Sequence, residues 1–202
     1  MNLKKIVIAI FFTLIILVLY IPWVHPFLAI TKRVDANVLV VEGWVPNNVL
    51  EYTAKEFLEG GYLLVATSGI QIVEDESGLN SHAHRAASKL VEFGLSEVSV
   101  VMCPSEPVSW NRTGVSARAV RDQLKEMNIN LSGVNVVTAG PHARQTYLAY
   151  RRVFSDTTQV GIISVPKIYY DQDRWWASWA GIKWTNKDFI AWIKEVLFGY
   201  RS

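Results

Sequence analysis

Apolar and polar residues change places along this chain at two periods, and the switches between them mark out an α/β domain. The run "NVLVVE" (37–42) is β-branched almost without a break, the pattern of a strand covered on both faces. It leads through "GWVPNN" into "VLEYTAKEFLEGG", whose apolar positions recur at helical spacing before Gly60-Gly61 stop it. Strands are expected again at "YLLVATS" (62–68), "EVSVVMC" (97–103), "VNVVTA" (134–139) and "QVGIISV" (159–165). Between them lie helices over 79–94 and 113–127, and one that Pro141 opens, where a missing N–H costs nothing. "GIQIVEDESG" reads as a polar loop, and its "EDE" (74–76) lacks calcium-loop spacing. Alternation of this kind predicts a sheet of about five parallel strands with helices on both faces, a three-layer sandwich. The first strand is expected at its centre.

Both ends of the chain follow different patterns. "IVIAIFFTLIILVLYIPWV" (6–24) carries no charge and is close to the ~20 apolar residues that cross a bilayer as a helix. A signal peptide has a shorter apolar core and a small-x-small cleavage site, which "YIPWVHPFLAITKR" lacks. The expectation is an anchor over 1–24, a tether over 25–36 and a globular domain over 37–202. The short N-terminal flank with Lys4 and Lys5 favours an extracytoplasmic domain, with Tyr20 and Trp23 at the interface. At the other end, Phe189, Trp192, Ile193, Val196, Leu197 and Tyr200 form a helical stripe. It predicts a closing helix packed on the sheet; contact with a membrane surface is the alternative.

Composition narrows the chemistry. The 202 residues hold 20 basic and 18 acidic side chains. Setting aside Lys4 and Lys5, the rest is neutral, without the clustered positive charge that nucleic acid requires. Cys103 is the one cysteine, which excludes an internal disulfide and a thiolate metal cluster. Before Pro104 it is a possible nucleophile, although a buried small side chain at a strand end is the commoner case. His82 and His84, two apart on a helix, point to different sides and do not share a metal. No nucleoside-phosphate loop motif occurs, so a tightly bound nucleotide cofactor is not indicated and the cofactor stays unassigned.

In a parallel sheet ligands sit at the carboxyl ends of strands. That singles out Glu42-Gly43, Ser68-Gly69, Cys103 to Thr113 and Thr138 to Arg144. His142 and Arg144 fall in the first turn of a helix, where free N–H groups favour an anion. A cation there suggests a negative partner, either a carboxylate of the protein or an anionic ligand. Glu42 faces His142 if the first and fourth strands are neighbours, and such a pair can do general acid–base work or form a structural ion pair. Arg112, Thr113 and Ser116 open another helix, and Arg112 can hold a phosphate or carboxylate in a bidentate contact.

The segments "VLVVEGW", "LVATSG", "NRTGVSARAV", "VVTAGPHARQTYLAYRRVF" and "YYDQDRWWAS" together resemble the YdcF/SanA/ElyC family over about residues 35 to 182. The resemblance implies a Rossmann-like α/β domain, often behind one N-terminal membrane helix. It also implies a bacterial envelope role in barrier function or in surface-polysaccharide or peptidoglycan metabolism. Carried onto this chain, the polar cleft residues would be Glu42, Gly43, Ser68, Gly69, Thr113, Ser116, Thr138, His142 and Arg144. Many members have a second glycine where this chain has Glu42, and an asparagine where it has Ser116. The expectation is therefore a single-pass protein of the bacterial inner membrane whose domain binds, and in one reading modifies, an anionic envelope precursor of sugar-phosphate or nucleotide-sugar type. In that reading Glu42 and His142 transfer protons, and Arg112 and Arg144 hold the anion. The alternative is a non-catalytic scaffold that binds proteins of polysaccharide assembly or export.

Overall fold

The structure, a computed structural model, describes residues 3–72, 81–154 and 158–199. Its five strands are β1 (Val38–Glu42), β2 (Leu64–Ile70), β3 (Val100–Ser105), β4 (Gly133–Ala139) and β5 (Gln159–Val165). All neighbours are parallel, in the order β3-β2-β1-β4-β5, so the uniformly apolar β1 is central as expected. The helices are α1 (Leu3–Leu28), α2 (Asn47–Gly60), α3 (His82–Glu92), α4 (Arg112–Glu126), α5 (Ala143–Phe154) and α6 (Trp179–Phe198). The chain builds outward from β1 through β2 to β3, then crosses back to place β4 on the other side of β1. The strand order reverses between β1 and β4, and a crevice opens there at the carboxyl edge.

Alternate residues of β1 serve two cores. Leu39 and Val41 face Val49 and Leu50 of α2 and Ala86 and Leu90 of α3. Val38 and Val40 face Val120 and Leu124 of α4 and Tyr150 of α5. Period-2 alternation then sends Glu42 to the α4/α5 face, beside Ser68 and Thr138, which occupy the equivalent positions of β2 and β4. The expected helix over 79–94 begins at His82 among the described residues, with Ser81 accepting from the His84 N–H as its cap; residues 79 and 80, like "EDE" (74–76), lie outside that set. In α4 the cap is Asn111, at φ 51°, accepting from the Gly114 N–H; Thr113 does not cap.

Residues 25–36 are docked on the domain, in contrast to the expected tether. α1 continues to Leu28, and Val24 and Leu28 are buried with Tyr170 and Trp175. The Trp175 indole donates to the Ile21 carbonyl at 3.0 Å, and Tyr20 donates to Asn186 of α6 at 2.9 Å. Further on, Lys32 pairs antiparallel with Ile162, while the Asn135 amide both accepts from the Val34 N–H and donates to its C=O, each at 3.0 Å. A side chain at 161 would put Cβ 1.9 Å from that amide oxygen, which explains Gly161. The side chains of residues 6–10, 12–17 and 19, on which the anchor expectation rests, lie outside the described residues. Among the described residues no helix is long and apolar enough to cross a membrane.

Candidate functional site

At the crevice, Glu42 is 2% exposed. A carboxylate so placed needs partners, since burying it unpaired would cost several kcal/mol. It accepts from the hydroxyls of Thr138 on β4 and Thr146 on α5, the second at 3.1 Å. Its other oxygen lies 3.9 Å from His142 Nε2. The pairing of β1 with β4 thus brings Glu42 and His142 together.

His142 ends a short 3₁₀ turn, Gly140–His142, between β4 and α5. On its far side Nδ1 stands 3.3 Å from Asp188 of α6, and the other Asp188 oxygen accepts from Lys167 at 2.8 Å. Trp44 packs edge-on against the imidazole, ring centroids 4.8 Å apart. Burial opposes a charge on His142, but Glu42 and Asp188 on its two sides outweigh it and raise its pKa. Burial likewise opposes the Asp188 carboxylate, yet the bond to His142 and the ammonium of Lys167 bring its pKa below the usual carboxylate range. With Asp188 beside Nδ1, a second proton on the ring would sit at Nε2, which is buried and has no hydrogen-bond partner.

These groups form one wall of a cavity of about 360 Å³, within the range of small-molecule sites. Ser68 and Gly69 of β2 form its floor, with Arg112, Thr113 and Ser116 of α4 to one side. α6 closes it with Lys187, Asp188, Lys194 and Glu195. Three helices, α3, α4 and α5, begin at this cavity, so three positive dipole ends converge there. Among the described residues the lining cations Arg112, Lys187 and Lys194 have no carboxylate partner, whereas Lys167 is neutralised by Asp188 and Glu195 is held by Arg152. Indoles of Trp44, Trp110 and Trp184 line the walls. Three polar side-chain atoms, His82 Nδ1, His142 Nε2 and Gln145 Oε1, are buried without partners, and all three belong to lining residues.

Several sequence expectations are corrected. Arg144 does not enter the cavity: its Nε donates to the Phe27 carbonyl and its guanidinium stacks 3.9 Å from the Phe27 ring centroid, so its partner is the docked end of α1. Its neighbour Gln145 lines the cavity instead. Thr138 and Gly43 stand behind the site; Thr138 binds Glu42, and the Gly43 N–H donates to the Ser68 carbonyl at 2.6 Å. Cys103 is 1% exposed and burial pushes its thiol up to about 12, which removes it as a nucleophile. Of the two histidines set aside, His84 bonds Ser81 at 2.6 Å, but His82 lines the cavity. The C-terminal helix packs on α5 and α1, not on the sheet. Its buried line is Gly181, Thr185, Asp188 and Glu195; Val196 and Leu197 are exposed, and Tyr200 lies outside the described residues.

Besides His82 and Gln145, sequence reasoning missed Asp188 and Lys167. Lys167 follows β5, the one strand whose carboxyl end was not singled out. Asp188 and Glu195, seven apart with Thr185 on the same side, traced a polar line along α6 that the more conspicuous tryptophans obscured. No protein-family model and no curated protein matches the chain.

Proposed function

We propose that the cavity binds an anionic, ring-bearing small molecule of sugar-phosphate or nucleotide-sugar type, and that the charged His142, set between Glu42 and Asp188, exchanges a proton with it. The observation that carries this reading is the set of unpartnered buried polar atoms in a cavity where three helix N-termini meet. His142 Nε2 makes no hydrogen bond although Glu42 stands 3.9 Å away, and when the ring is charged an anionic ligand oxygen is an acceptor suited to it. Arg112 supplies the fork that fits a phosphate, and the indoles supply flat apolar faces for a ring. Asp188 and Lys167 act as positioning residues, fixing the tautomer and orientation of His142.

Membrane attachment through α1 belongs to the same proposal. Its 26 residues extend about 39 Å at ~1.5 Å per residue. The docked end leaves residues 3–19, the short end of the ~17–25 residues that span a bilayer, with Tyr20 and the exposed Trp23 at the boundary. The resemblance to the YdcF/SanA/ElyC family supports the bacterial inner membrane, with the domain outside the cytoplasm, and an envelope precursor as ligand. The scaffold reading draws support from the exposed Val196, Leu197 and Phe198 near the end of α6, which a partner protein of polysaccharide assembly could cover.

Equilibrium binding of inorganic phosphate, a hexose 1-phosphate, a nucleotide sugar and the free hexose tests the proposal. Affinity is expected to rise from phosphate to the ring-bearing phosphates, with W184A lowering the gain and the free hexose not binding. Equal binding of hexose and hexose phosphate would contradict an anion site.

A further inference from the structure

His82 is the second histidine of the cavity. His82 is the first residue of α3, and two glycines make room for it. A Cβ at Gly69 would lie 2.6 Å from the His82 Cβ, and one at Gly43 2.1 Å from its carbonyl oxygen. The residue therefore rests directly on the ends of β1 and β2. Its Nδ1 is buried and unpartnered although the ring borders open space.

His82 rests at the ends of β1 and β2, His142 follows β4, the other neighbour of β1, and both line the one cavity. The cavity of about 360 Å³ that both histidines line is large enough for a phosphate-bearing small molecule. We propose that His82 is the second ligand-contacting and proton-transfer group of this cavity, gripping the phosphate of a phosphate-bearing ligand together with His142. The proposal rests on the reading of the cavity as an anion site and adds to it a partner of opposite polarity. Burial lowers the His82 pKa, with the nearby Arg85 and Arg112 adding to the effect, while His142 is raised. The two shifts run in opposite directions, the arrangement that lets one group accept and the other donate a proton on a single ligand. Arg85 itself is committed to the Gly43 and Val45 carbonyls and Asn47.

The chain has four histidines, so each imidazole can be followed by NMR in the full-length protein in detergent micelles, with inorganic phosphate as the probe. Phosphate is expected to shift the His82 and His142 signals together and to raise the His82 pKa, leaving His25 unmoved. Phosphate affinity in H82Q should fall on the order of tenfold, the worth of one hydrogen bond to a charged group, with an unchanged melting temperature, and H84Q should bind as wild type. If phosphate moves His142 alone, or H82Q binds as tightly as wild type, the role of His82 is overturned while the anion site stands. If neither signal moves, the anion site and the role of His82 fall together.

Discussion

At the residue scale, the charge state of His142 decides how the site responds to pH. Its pKa is raised in the folded protein, so its contribution to stability is complete below the unfolded value of ~6.5 and is lost as pH rises through the folded value. Asp188 is shifted the other way, so its contribution holds above the unfolded carboxylate value of ~3.9 and is lost as pH falls. The melting temperature contributed by this pair is therefore expected to peak in mildly acidic solution. In D188N the alkaline decline should move to lower pH, which melting curves between pH 5 and pH 9 would detect; an unmoved decline would mean that Asp188 does not hold the His142 proton. Glu42 and His142 were legible as a pair because both follow apolar strands at the carboxyl edge. Asp188 was not, because it arrives from a helix more than forty residues further along, and no local pattern reports that kind of tertiary approach.

At the scale of elements, the ends of helices and the glycines beside them fix where the side chains of the site stand. G43A would press a methyl group into the backbone of α3, where nothing flexible can yield. Overpacking of this sort costs roughly 1–3 kcal/mol, and chemical denaturation should show the loss together with weakened phosphate binding. Asn111 caps α4 in a left-handed conformation, which glycine tolerates and alanine does not. N111A is expected to lose about 1 kcal/mol or more and N111G only a few tenths, a contrast that equal losses would refute. Strands and helices were readable from period and punctuation, since β1, β4 and β5 are framed by turn residues. The destination of α6 was not: its tryptophans suggested a stripe facing the sheet, whereas Phe189 and Trp192 pack around α1 and Asp188 and Glu195 face the cavity.

At the scale of the molecule, α1 ends as part of the domain. Burying Val24 and Leu28 is worth on the order of 3–6 kcal/mol. A chain beginning at residue 20 should therefore melt well above one beginning at residue 30, and equal melting temperatures would show the docked end to be dispensable. The same docking occupies Arg144, which leaves Arg112 as the arginine of the cavity. That difference gives the most direct measurement of the central claim, a thermal-shift titration of the full-length protein with phosphate, hexose 1-phosphates and nucleotide sugars in wild type, R112A and R144A. A ligand at 100 times its dissociation constant adds about 2.7 kcal/mol, a readily visible rise in melting temperature. The account predicts that a phosphate-bearing ligand stabilises wild type and R144A by the same amount and that R112A loses the shift. No shift with any of them, or a shift that survives R112A and disappears in R144A, would contradict it.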